Sequence, residues 1–108
     1  MLKQEIKVFA TGRNEKYSAE GIFDGKGVTV LKGSRISAIT GAKINPIVEK
    51  RRNDRSIVSE DNEVLQDVYF RSSSTAATFV TGNISNGLRV WKLDNGKDLH
   101  SIKEEDNV

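Results

Sequence analysis

Apolar and charged residues alternate through Glu5-Ile6-Lys7-Val8-Phe9-Ala10, with Ile6 and Val8 set between Glu5 and Lys7. That period of two predicts a half-buried strand. Tyr17 to Phe23 predicts a second strand, and the β-branched run Val28-Thr29-Val30-Leu31 a third. Asp24-Gly25-Lys26-Gly27 lies between them, and its glycines are free to take positive φ, so the pair reads as a hairpin. Gly33-Ser34 ends the third strand. Gly41 and Pro46 bracket a loop, after which Pro46 to Val58 predicts a helix with Asn45 as its cap. Ser59 to Glu63 is a polar loop, and Gln66 to Phe70 predicts a fourth strand.

The next stretch carries its own punctuation. Ser72-Ser73-Ser74 precedes Thr75 to Gly82, in which Ala76, Phe79 and Val80 share one helical face. Serine hydroxyls accept the unpaired N–H groups of a first turn, and Gly82-Asn83 suits a left-handed stop. Asn86-Gly87 predicts a turn, Leu88 to Lys92 a strand, Asp94 to Lys97 another turn, and Leu99 with Ile102 a final short strand. Together these predict an α+β fold: a small antiparallel sheet of four to six strands with two helices. A single domain over residues 1–108 is expected, with its core in 5–102 and a fraying acidic tail at 103–108.

Composition narrows the function classes. There is no cysteine, which removes disulfides and thiolate metal sites and suits a reducing compartment. The opening residues lack the apolar run of a signal peptide, and no stretch nears the roughly 18 apolar residues of a membrane span. A cytoplasmic chain with no membrane contact is expected. The sole histidine, His100, leaves little material for a triad or zinc site, and Asp61, Glu63 and Asp67 sit in polar contexts. A non-catalytic chain is therefore expected, with no cofactor and no small-molecule substrate. Gly21 to Lys26 only faintly resembles a phosphate loop: its spacing is one residue short, and Gly27 follows where Ser or Thr belongs.

The net charge of +2 conceals a division. Met1 to Val58 carries twelve basic and six acidic residues, and Ser59 to Val108 five and nine. A basic face on the folded domain is thus allowed. Lys50-Arg51-Arg52 with Arg55 is the densest basic run, and Lys32 and Arg35 extend it if their loop lies beside the helix. It reads either as a phosphate-contacting patch or as a solvated helix face damped by Glu49 and Asp54. Ser72 and Ser74 read as helix caps, or as a phosphate cradle with Arg71 beside them. Trp91 reads as a core anchor or as a base-stacking platform with Arg89 on the same strand face. Asn86 is first a turn residue, and second a base or phosphate contact.

Two blocks resemble a known family. One is Ala19-Glu20-Gly21 followed by Val28 to Ser34; the other is Tyr69 to Ala77, then Gly82, Asn86-Gly87, Trp91-Lys92 and Gly96 to Leu99. In this order they resemble an uncharacterised bacterial domain family often found C-terminal to GIY-YIG nuclease domains. That family is in turn similar to RAMA domains, which are associated with restriction enzymes and adenine methylases. Ser73 stands where the family usually has proline, and Leu88 where it has an aromatic residue. The resemblance implies an accessory module that binds duplex DNA beside a nuclease or methylase. Its expected contacts are Lys32, Arg35, Arg51, Arg52, Arg55, Ser72, Ser74, Asn86, Arg89 and Trp91. The rival is a protein–protein module, or a structural dimerisation domain, and it predicts an exposed apolar patch around Val64, Leu65 and Val68.

Overall fold

A computed structural model of the chain describes residues 5–12, 16–38 and 44–99. Four strands form an antiparallel sheet in chain order: β1 (Ile6–Thr11), β2 (Ser18–Phe23), β3 (Val28–Val30) and β4 (Val68–Phe70). Two longer helices join it, α1 (Pro46–Asn53) and α2 (Ser73–Thr81), with a single helical turn, α3 (Gly87–Val90). The expected α+β class and antiparallel sheet are present.

Strand alternation divides the sheet into two faces. Val8, Gly21, Val30 and Val68 lie in one cross-strand row. Ala10, Ala19, Phe23, Val28 and Phe70 are buried with Val8, Val30 and Val68 in the core. Lys7, Ile22, Thr29 and Tyr69 make the neighbouring row, which points the other way. The inner face meets Ala76, Ala77, Phe79 and Val80 of α2, and the Phe70 and Phe79 rings lie 4.9 Å apart at 40°. Gly21 leaves a gap in its row that Trp91 fills: a Cβ there would lie 3.4 Å from the indole and 2.7 Å from Val28 Cγ1.

Four predicted helices and strands change. The helix from Pro46 stops at Asn53, not at Val58. Asp54 leaves the helical region, and its carboxylate accepts the Ser56 N–H and hydroxyl, a local turn that competes with further helix. Ile57 and Val58 still reach the core, where Val58 bridges Val64. The third and fourth strands are shorter than predicted, ending at Val30 and starting at Val68.

The strand predicted for Leu88 to Lys92 is instead α3, followed by an extended Lys92 that bridges Phe9 and Asp98. Its cause lies in Asn86-Gly87. The Asn86 side chain accepts the Leu88 N–H and starts a helical turn. Gly87 presses on the start of α2, where a Cβ would fall 2.1 Å from the Ser73 carbonyl carbon. The pair does turn the chain, as the cap of a helical turn and a close approach to α2. The turn predicted at Asp94 to Lys97 does form, with Gly96 at φ 89°. Ile102, His100 and the 103–108 tail lie outside the described residues.

Candidate nucleic-acid interface

α1 begins where Asn45 accepts the Ile47 N–H and Pro46 occupies the first turn. Val48 and Arg52 are one turn apart and form its inward stripe; both are buried. The Arg52 guanidinium donates Nη1–H to the Phe79 carbonyl and Nη2–H to the Ser37 carbonyl. Phe79 lies in the last turn of α2, where carbonyls lack helical partners and the dipole is negative. The Ser37 N–H takes the Val80 carbonyl, and the Gly82 N–H takes that of Thr78. Arg52 therefore completes the α2 C-terminus, and burial pushes its pKa below the ordinary guanidinium value without discharging it. It is not available to a phosphate, which corrects its place in the basic patch.

The serine box is also used internally. Ser72 Oγ accepts the Thr75 N–H at 3.1 Å and caps α2. Ser74 Oγ accepts the Gly87 N–H at 3.0 Å and ties α2 to α3. Trp91 is fully buried, and its indole N–H donates to the Ser73 carbonyl at 3.1 Å. A buried ring cannot be a stacking platform; the core-anchor alternative is the one the fold uses. Asn86 Oδ1 is committed to the α3 cap, and Arg89 pairs with Asp98 at 3.4 Å.

Lys32, Arg35 and Arg55 remain exposed, and Arg51 is half-buried. The Lys32 backbone N–H donates to Asp67 Oδ1 at 2.8 Å, and the residue is exposed. Arg35 is clamped in extended backbone between Ser18 and Glu63, so it has an acidic neighbour. Arg55 donates to the Val58 carbonyl at 3.3 Å. Among the described residues the ion pairs are Lys7–Glu20 and Arg89–Asp98, so Lys32, Arg51 and Arg55 form none. Asp54 is held below the ordinary carboxylate range, first by the Ser56 hydroxyl and to a smaller degree by Arg51 and Lys50. It softens the charge at the end of α1.

The patch proposed for the rival reading is not built. Val64 and Val68 are core residues, and only Leu65 of the three is exposed. Among the described residues no three His, Cys, Asp or Glu side chains gather to hold a metal, and no helix is long and apolar enough to cross a membrane.

Of a further group of surface residues, only Arg71 has a functional reading in the sequence, beside the serine box. Lys26, Tyr69 and Arg71 line a shallow depression at the β3–β4 end of the sheet. Tyr69 is 51% exposed. Its alternation with buried Val68 and Phe70 was the available signal, and it places the ring outward.

The family model described as a domain of unknown function, DUF4357, matches residues 9–103. No curated protein and no solved structure matches the chain.

Proposed function

We propose that this chain, which belongs to the DUF4357 family of domains of unknown function, is a non-catalytic accessory module that contacts the phosphates of duplex DNA. The observation that carries this reading is the set of exposed Lys32 and Arg55 with half-buried Arg51, cations that form no ion pair among the described residues. Clustered cations suffice for backbone binding, because each neutralised phosphate releases counterions. Of the groups suited to reading bases, Trp91 is buried and the Asn86 Oδ1 is taken up by the Leu88 N–H at the surface. Contacts of this kind position a protein on DNA without specifying a sequence. Specificity would then come from a partner, and the resemblance to GIY-YIG-associated and RAMA domains favours a nuclease or methylase in the cytoplasm.

The test is fluorescence anisotropy with a labelled duplex across a salt series. Three phosphate contacts give a log–log slope of about −2.7, and a loss of roughly fortyfold between 50 and 200 mM salt. Replacing Lys32, Arg51 and Arg55 together by alanine should abolish that binding. No binding at low salt, or binding indifferent to salt, would remove the reading.

A further inference from the structure

The outer end of the sheet carries a second feature that owes nothing to α1. Tyr69 projects from β4 beside the β2–β3 turn, and its hydroxyl donates to Asp24 Oδ2 at 3.0 Å. Asp24 Oδ1 accepts the N–H groups of Lys26 at 2.9 Å and Gly27 at 2.8 Å. The carboxylate is thus saturated by a turn and a phenol, and it forms no ion pair with Lys26 or Arg71. Gly27 completes the support. A Cβ there would lie 2.6 Å from Tyr69 Oη and 2.8 Å from Cζ, so the turn backbone lies against the phenol end of the ring.

The consequence is an aromatic ring held from one side and open on the other. Lys26 and Arg71 flank it, both exposed. Arg71 is the last residue before the Ser72 cap, so the positive end of α2 begins next to it. An oriented aromatic surface flanked by two cations that form no ion pair among the described residues fits a ligand with a flat face and an anionic group. Bases stack on such rings with little regard to sequence, and the adjoining phosphates are held by nearby cations. Duplex DNA hides its base faces in the stack, so this site requires an unpaired nucleotide.

We infer that the Lys26–Tyr69–Arg71 depression binds an unpaired nucleotide of a single strand, with the base stacked on Tyr69 and the phosphate between Lys26 and Arg71. The inference rests on the nucleic-acid reading for its class of ligand, but on different residues.

The experiment compares labelled oligo(dT) with an abasic strand of equal length, at low salt, by anisotropy. The wild-type chain should bind oligo(dT) about tenfold more tightly than the abasic strand, and Tyr69→Ala should erase the difference. Tyr69→Phe retains the ring and should retain most of the preference, which separates stacking from loss of the Asp24 hydrogen bond. Lys26→Ala with Arg71→Ala should weaken both strands and flatten the salt slope by about 0.7, as expected for one phosphate neutralised on a single strand. Equal affinity of the wild type for the two strands, or a preference unmoved by Tyr69→Ala, overturns the inference. Duplex binding without any single-strand binding overturns it and leaves the α1 reading standing. A Tyr69-dependent preference with no duplex binding sustains it and removes the α1 reading instead.

Discussion

The Arg52 guanidinium donates to the main-chain carbonyl of Phe79, a residue 27 positions further along the chain. This bond closes the C-terminus of α2 with a side chain from α1, and the second arm of the fork fixes Ser37 in the loop beyond β3. One cation thereby joins three parts of the fold. Truncating it removes a charged donor from two buried carbonyls. Arg52→Ala should cost about 3 kcal/mol, since hydrogen bonds from a charged donor are worth about 1.5–3 kcal/mol each and are not fully additive. Arg52→Lys should rescue little, because an ammonium on a flexible stem does not reproduce a planar fork. Urea denaturation checks this: the midpoint should fall with the slope unchanged.

Ser72 separates capping from ligand binding. Its Oγ already accepts the Thr75 N–H. Ser72→Ala should therefore lower stability by about 1 kcal/mol. It should leave duplex affinity unchanged. A loss of affinity larger than the loss of stability would place a phosphate at the α2 N-terminus.

Two glycines should respond to alanine in different degrees for different reasons. At Gly87 the new Cβ would meet Ser73 backbone atoms at 2.1 and 2.3 Å, so α2 and α3 must move apart. That overpacking should cost about 3 kcal/mol or more. At Gly33 nothing lies within 4 Å, and only the positive φ of 92° is strained. The penalty there should be about 1 kcal/mol. Thermal unfolding of the two variants reads the contrast directly.

The Tyr69–Asp24 bond predicts a pH signature. The hydrogen bond to Asp24 raises the Tyr69 phenol above its ordinary value, and Asp24 is lowered chiefly by the Gly27 and Lys26 N–H groups. A raised folded pKa means that the phenol's contribution is complete below its unfolded value of about 10 and is lost as pH climbs through the folded one. The lowered Asp24 contributes above about 4 and loses that contribution as pH falls through its folded value. Ultraviolet titration of tyrosinate should show one late-titrating tyrosine in the wild type. Asp24→Asn should return it toward the ordinary range.

Legibility in the sequence followed the range of the interactions. β1 and the β2–β3 hairpin are specified by alternation and by a four-residue turn, and both formed near their predicted bounds. The α2 caps at Ser72 and Gly82 are local as well, and both formed. Leu88 to Lys92 misled because alternation over so few residues does not exclude a helical turn, and the deciding contact, Gly87 against Ser73, joins separate elements. Arg52 misled for a similar reason. Its partners are backbone carbonyls 15 and 27 positions away, which no residue pattern announces, so a buried cation looked like one more member of a basic run. Tyr69 was the reverse case: alternation turned it outward, but its meaning depends on a turn 45 positions earlier.

The most direct measurement of the central claim is an amide chemical-shift titration with a short DNA duplex at low and at moderate salt. A phosphate-contacting α1 surface predicts shifts at Lys32 and through Lys50 to Arg55 that shrink as salt rises. The Trp91 indole N–H, buried against Ser73, should not move. An absence of shifts at low salt, or shifts that persist unchanged at moderate salt, would contradict the account.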